Sequence, residues 1–153
     1  MKRQPALLAA VLAAAFLVPA QAKDEFGSRA EAESLVKKAI AHIKSAGKDA
    51  AFADFTGKKE GWVDRDLYVV VYSMEGKPLA HGQNAKMVGK DLIELKDAGG
   101  KLFVKERVDL AKSKGKFWQE YQFTDPISKK VLGKEMYCER VEEMIPCVGV
   151  YKR

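Results

Sequence analysis

Three side chains able to hold an anion are predicted to share one face of a β-hairpin. Glu75 and Gly76 form a turn between two extended stretches, 66–74 and 77–81. This turn places position 72 opposite 79 and position 70 opposite 81, and side chains alternate between the two faces of a strand. One face therefore carries Tyr68, Val70, Tyr72, Leu79 and His81. Two phenols and an imidazole can hold a carboxylate by hydrogen bonds.

Four residues further along offer a cation, a donor and aromatic surface. Lys134 has the positive charge that an anionic ligand needs, and Tyr137 adds a hydroxyl. Lys134 and Tyr137 are three positions apart, and so are Trp118 and Tyr121. A three-residue offset places the two members of a pair on opposite faces of a strand. Both members can therefore enter one pocket only through a bulge or from its mouth. The alternatives are a surface lysine and a tryptophan that covers the core, and Tyr121 is the better candidate for a polar contact.

Both cysteines, Cys138 and Cys147, lie near the C-terminus. If Glu142 and Glu143 form a two-residue hairpin turn, position 138 faces 147, so a disulfide can form. Pro146 has no N–H to give to a ladder, which predicts a bulge or an edge position nearby. Two thiols lack the further ligands of a zinc site, and the sequence has no C-x-x-C motif, so we expect no metal.

Catalytic motifs are lacking. The sequence contains no G-x-S-x-G, no H-E-x-x-H and no phosphate-cradling glycine loop. His42 lies in a predicted helix beside Ile43, and His81 has no evident nucleophile or carboxylate partner in the sequence. We therefore expect neither an enzyme nor a bound cofactor.

The first 22 residues are predicted to be a secretory signal peptide. Lys2 and Arg3 precede an uncharged run over 6–18, and Pro19 and the pair Ala20 and Ala22 follow it. Thirteen apolar residues are fewer than the roughly 20 that a membrane-spanning helix needs. We expect cleavage after Ala22, a periplasmic or secreted product without stable membrane insertion, and an oxidising environment for the cysteines.

The remaining chain, 23–153, has the length of one domain. The whole sequence has a formal net charge of +6. Its lysines and acids alternate, as at Lys105, Glu106 and Arg107, which is typical of an ordinary solvated surface. A nucleic-acid partner is not expected, because such proteins usually concentrate basic residues on one face or arm.

The periodicity predicts helices first and strands later. Apolar residues over 29–45 follow helical spacing and stop at Gly47, and Asp49 is a candidate cap for a short second helix. After the hairpin, 84–95 reads as a loop with a short helix, and 101–114 resumes helical spacing. Strands are then predicted at 117–123, 134–141 and 145–151. This order predicts an α+β fold with a mainly antiparallel sheet.

Several short motifs, in order, resemble one known family. They are DLYVVVYSMEGKPLAH at 66–81, MVGKDL at 87–92, KDAGGKLFV at 96–104, WQEYQFTDP at 118–126, KEMY at 134–137 and VGVY at 148–151. Together they are similar to single Cache domains of the second type, which are PAS-like extracytoplasmic sensor modules of bacteria. The resemblance covers about two thirds of 23–153.

The resemblance implies a long N-terminal helix packed on a five- to six-stranded antiparallel sheet, with a small-ligand pocket on the other sheet face. Family members commonly bind small organic acids. The A-H pair that ends the second strand implies that Tyr72 and His81 contact ligand, whereas Tyr68 is interpreted as a core residue. The K-x-x-Y pattern implies roles for Lys134 and Tyr137.

Cache domains typically lie between two transmembrane helices of a receptor or kinase, whereas this sequence ends at Arg153. It resembles a free-standing, secreted version. We therefore expect a periplasmic sensory module that binds a small organic acid and presents it to a membrane receptor or kinase. The alternative is a ligand-free interaction domain, whose pocket is filled by its own side chains, that docks to a receptor or an exported complex.

Overall fold

The computed structural model describes residues 24–153, so the predicted signal peptide lies outside the described residues. This part of the chain contains three α-helices: α1 (Arg29–Ala46), α2 (Lys48–Thr56) and α3 (Phe103–Lys114). Its six strands are β1 (Val63–Asp64), β2 (Leu67–Ser73), β3 (Pro78–His81), β4 (Lys116–Thr124), β5 (Val131–Glu139) and β6 (Met144–Tyr151). A 3-10 turn, Ala85–Met87, lies in the long connection after β3. The predicted α+β class is confirmed.

Helix α1 begins with a capping box in which Ser28 and Glu31 satisfy each other's backbone N–H groups. Its apolar stripe is buried at Ala32, Val36, Ala39 and Ile43. Gly47, with φ of 87°, ends α1 and also occupies the N-cap position of α2. Asp49 is therefore not the cap predicted from the sequence but lies inside the first turn of α2.

The strands form one antiparallel sheet in the order β1-β2-β6-β5-β4, and β3 also pairs with β2. In the β5–β6 hairpin Cys138 faces Cys147, as predicted, and a disulfide joins the two. The sequence predicts a bulge or an edge at Pro146, but this residue lies in the inner strand β6 opposite Val71. The β5–β6 pairing stops at the cysteines and resumes beyond the proline at Val141 and Met144, so the ladder is interrupted there.

The β2–β3 hairpin differs from its predicted register by one bulge. Gly76 adopts φ of 84° and its N–H donates to the Ser73 carbonyl, while the Ser73 N–H donates to the Lys77 carbonyl, so the turn is one residue longer than predicted. Tyr72 consequently faces Pro78 instead of residue 79, and a register shift between Val71 and Tyr72 restores the predicted Val70–His81 pair. Leu79 is displaced by this bulge, and it packs in the core on the other side of the sheet.

The sheet has a hydrophobic core on each face. The first core lies between the sheet and helices α1 and α2. The second lies between the sheet and α3, and it contains Tyr68, Tyr72, Phe103, Tyr121 and the disulfide. The long N-terminal helix thus lies on one sheet face, and the candidate ligand residues Tyr72, His81, Tyr121 and Lys134 lie on the other.

Candidate ligand-binding site

His81 is a neutral hydrogen-bond donor at the end of β3. It is buried, and its Nδ1 accepts hydrogen bonds from the backbone N–H groups of Gln83 (3.2 Å) and Asn84 (3.1 Å). Both interactions require an unprotonated Nδ1, so the ring proton lies on Nε2. Burial is the largest cause that lowers the pKa of His81, to about 3. The ring stacks on Tyr68 at a centroid distance of 5.5 Å.

Lys134 is a buried amine among aromatic rings, not the surface lysine that is the common alternative. It is 1% exposed, and its Nζ donates to the Tyr68 hydroxyl at 2.7 Å. Nζ also lies 4.3 Å from the Tyr68 ring centroid and 4.7 Å from that of Tyr151. Burial, and then the charge of Arg107, lowers the pKa of Lys134 well below its usual range. The network continues from Tyr68 to the Tyr151 hydroxyl (3.3 Å), which donates to the Thr124 carbonyl (2.8 Å).

Arg107 of α3 is the second buried basic side chain on this face, and it was not among the residues predicted for the site. Its side chain is 0% exposed, and its guanidinium lies 4.7 Å from the Tyr72 ring centroid and 5.0 Å from that of Tyr121. Nε donates to Gln119 at 3.0 Å. Within residues 24–153, Nη1 and Nη2 have no hydrogen-bond partner. A guanidinium stays protonated in proteins, so this group is a permanent charge with unused donors.

Helical spacing could have found this residue. Arg107 lies three positions after Val104 and four before Ala111, two members of the apolar stripe that predicted α3. Its neighbours Lys105 and Glu106 made it look like part of an exposed charged face. The stripe places it on the buried side instead.

Tyr72 and Tyr121 form walls around the arginine. Tyr121 stacks on Phe103 at 4.6 Å with an interplanar angle of 9°, and its hydroxyl contacts the sulfur of Met136. Burial raises the pKa of the Tyr121 hydroxyl, which stays protonated. These rings exclude water from Arg107, and this strengthens any electrostatic contact made there.

Trp118 and Tyr137 lie on the opposite face of the sheet. Strands β4 and β5 pair without a bulge along their whole length. The side chains of Trp118 and Tyr137, each three positions from Tyr121 or Lys134, therefore point to the other face of the sheet. Their rings contact each other at 5.3 Å, and Trp118 donates to Glu33 of α1. The hydroxyl of Tyr137 donates to Glu139. We leave both residues out of the ligand set proposed below.

A cavity of about 380 Å³ opens beside His81 and Tyr68. Its rim comes from the segments that follow β3 and β4, and it is lined by Tyr68, His81, Gln83, Asn84, Met87, Phe123, Thr124, Pro126 and Lys129. In residues 24–153 no group of His, Cys, Asp or Glu is arranged to hold a metal ion. Of the predicted ligand residues, His81 lines this cavity, whereas Tyr72, Tyr121 and Lys134 are buried on the same sheet face outside its lining. Together with Arg107, the donors of this sheet face suit an anion.

The sequence model of the family described as "Single Cache domain 2" matches residues 6–150. This chain belongs to the single Cache domain 2 family. No curated protein matches the sequence at a significant level. Across the described part of the chain, no helix is sufficiently long and apolar to cross a bilayer.

Three solved structures share this fold, two from chemotaxis proteins and one from a Cache chemosensory domain. A methyl-accepting chemotaxis protein from Vibrio parahaemolyticus superposes with a TM-score of 0.67 at 19% identity, over 80% of this chain and 87% of that one. A periplasmic sensor domain of a chemotaxis protein gives 0.64 at 20%, over 81% and 90%. A Cache chemosensory domain described for its recognition of carboxylic acids gives 0.63 at 22%, over 81% and 88%.

Proposed function

We propose that this protein is a periplasmic or secreted sensor module that binds a small organic acid through its carboxylate. The observation that carries the proposal is the buried guanidinium of Arg107, whose Nη1 and Nη2 donors have no partner within residues 24–153. A buried charge and its donors are unfavourable unless they are paired. A carboxylate can accept from both nitrogens in the bidentate geometry that guanidinium groups favour.

Two further donors belong to the proposed anion site. His81 supplies its Nε2–H, and Lys134 supplies an amine that lies beside the Tyr68 ring. Tyr72 and Tyr121 hold the guanidinium between their rings and would orient the ligand. Tyr68 connects Lys134 to Tyr151 and is assigned to this internal network. The ligand class agrees with that of the Cache chemosensory domain described for carboxylic acid recognition.

We also propose that the module comprises 23–153 after cleavage of residues 1–22. The disulfide between Cys138 and Cys147 supports this proposal, because disulfides persist in exported proteins. The partner would be a membrane receptor or kinase that reads the occupied pocket. Cell fractionation of the full-length chain, with mass spectrometry of the mature terminus, tests this proposal. A cytoplasmic, uncleaved product would contradict it.

Calorimetric titration of the purified protein with acetate, propionate and succinate tests ligand binding. Propionamide is the matched control, since it keeps the shape of propionate and lacks the charge. We expect an acid to bind and to raise the melting temperature, while the amide does neither. A flat response to every acid would favour the ligand-free interaction domain, for which the internally bonded Tyr68, Lys134 and Tyr151 cluster is the supporting observation.

A further inference from the structure

The amine of Lys134 lacks the countercharge that a buried lysine usually has. Within residues 24–153 its hydrogen-bond partner is the Tyr68 hydroxyl, and no carboxylate lies within ion-pair distance. The two nearest acids, Asp66 and Asp125, are both bound by Arg153, at 2.8 and 2.9 Å. Lys134 is therefore a lone amine enclosed by aromatic rings.

The surroundings of this amine favour its neutral form on balance. Burial has the largest effect, and Arg107 of α3 adds a positive charge. The charges of Asp66 and Asp125 raise the pKa of Lys134, but their effects are smaller. Tyr68 of β2 and Tyr151 of β6 are neutral, because burial raises the pKa of both hydroxyls, and His81 of β3 is neutral as well. A desolvated amine beside another cation is the environment that activates lysine as a nucleophile.

A carboxylate anchor lies beside this amine. Tyr121 is directly opposite Lys134 across β4 and β5, and residues opposite each other on one face have their Cβ atoms about 5 Å apart. The guanidinium of Arg107 lies 5.0 Å from the Tyr121 ring. Arg107 and Lys134 thus both neighbour Tyr121 on one sheet face, and the charge of Arg107 acts on the amine.

We propose that Lys134 forms a reversible imine with 2-oxo carboxylic acids whose carboxylate is held by Arg107. This inference rests on the proposed function and names the ligand class of the same site. An Arg107-bound carboxylate reduces the charge that acts on Lys134, but desolvation, the larger cause of its neutral state, remains.

The step consumes no oxidant or reductant. The nitrogen lone pair forms a bond to the carbonyl carbon, and the C–O π pair moves to oxygen, which takes one proton as nitrogen loses one. Nitrogen then loses its second proton and the oxygen takes a second one, so that the C–O bond breaks, water leaves and the C=N bond forms. The Tyr68 hydroxyl, 2.7 Å from Nζ, is placed to give and take these protons.

The carbonyl must enter from the cavity beside His81. Tyr68 and Phe123 line this cavity, and Nζ lies 4.3 and 5.6 Å from their ring centroids. The amine is thus one ring away from the cavity, and one of these rings must turn aside for the ligand to reach it.

Trapping with pyruvate and cyanoborohydride at pH 7, followed by peptide mapping, tests the inference. An ordinary lysine amine is only about 0.04% neutral at this pH. We expect Lys134 to be alkylated at least about tenfold faster than the exposed Lys112 of the same molecule. Excess propionate, which lacks the 2-oxo group of pyruvate, should suppress labelling of Lys134 and leave the labelling of Lys112 unchanged.

Two variants separate the inference from the proposed function. Lys134→Met removes the nucleophile and fills the same space, and we expect it to fold and to lose the adduct. Tyr68→Phe should slow trapping while propionate still binds, and its melting temperature should fall because the buried Nζ loses its hydrogen-bond partner. Calorimetric binding of pyruvate and propionate without selective labelling of Lys134 would overturn the imine and leave acid binding standing. Failure of both acids to bind would overturn both proposals.

Discussion

Replacing Arg107 with methionine should abolish acid binding without destabilising the protein. The change removes Nη1 and Nη2, the two buried donors that have no partner within residues 24–153. Hydrogen bonds from a charged group contribute about 1.5 to 3 kcal/mol each, so losing two should weaken binding of a carboxylate by about 100-fold or more.

The effect on folding should be small, since gains and losses oppose each other. Two unsatisfied donors cost about 1 to 3 kcal/mol each, and their removal is favourable. Two losses oppose this gain. The Gln119 side-chain oxygen loses the hydrogen bond from Arg107 Nε, which costs about 1 to 3 kcal/mol for that one acceptor. The cation–π contacts of Arg107 with Tyr72 and Tyr121, which contribute up to about 2 kcal/mol, are lost as well. We expect the ligand-free unfolding free energy to stay equal or to rise by about 2 kcal/mol at most.

Thermal unfolding with and without the acid separates these effects. The parent should gain about 2.7 kcal/mol at a ligand concentration of 100 times its Kd, and Arg107→Met, which binds about 100-fold more weakly or worse, should gain about 0.4 kcal/mol or less. Arg140→Met, which removes an arginine paired with the exposed Glu143, is the matched control and should bind normally. If Arg107→Met lost more than about 2 kcal/mol of stability, or if it still bound the acid, Arg107 would be a structural residue.

Three other predictions concern the surroundings of the site. The imidazole resonances of His81 should not titrate above about pH 5. Its pKa of about 3 lies below the ordinary 6.5, so the unfolded chain binds the extra proton between these values and stability falls as pH falls through this window. Reduction of the Cys138–Cys147 disulfide should lower the unfolding free energy by about 2 to 3 kcal/mol, measured by denaturant titration with thiol quantification, and an unchanged midpoint would contradict this. Arg153→Met should cost about 2 to 4 kcal/mol by the same titration, because its two aspartate partners are buried and the arginine is 22% exposed; a loss under 1 kcal/mol would refute a stabilising role.

Patterns that depend on neighbours in the chain allowed most of the fold to be predicted. The stripe of α1 and the cysteine hairpin with its turn at 142 and 143 are local features, and both were predicted with the correct partners. The predicted β2–β3 register was wrong at Leu79, because the positive φ of a single residue, Gly76, decides the type of turn. A one-residue change in a turn moves a side chain to the other face, so a face assigned from alternation alone is correct only up to the first bulge.

The site was harder to predict than the fold, because its electrostatics depend on residues that are distant in sequence. Arg107 and Lys134 come from a helix and a strand, and each looks like a surface charge in its own segment. Only packing on one sheet face buries both side chains without a paired carboxylate. It also lets the charge of Arg107 lower the pKa of Lys134. Trp118 and Tyr137 show the converse, since they share motifs with Tyr121 and Lys134 but alternate onto the helix side. The useful signal in such a sequence is therefore a charged residue at an apolar position of a helical stripe, because burying it there is unfavourable unless a ligand pairs with it.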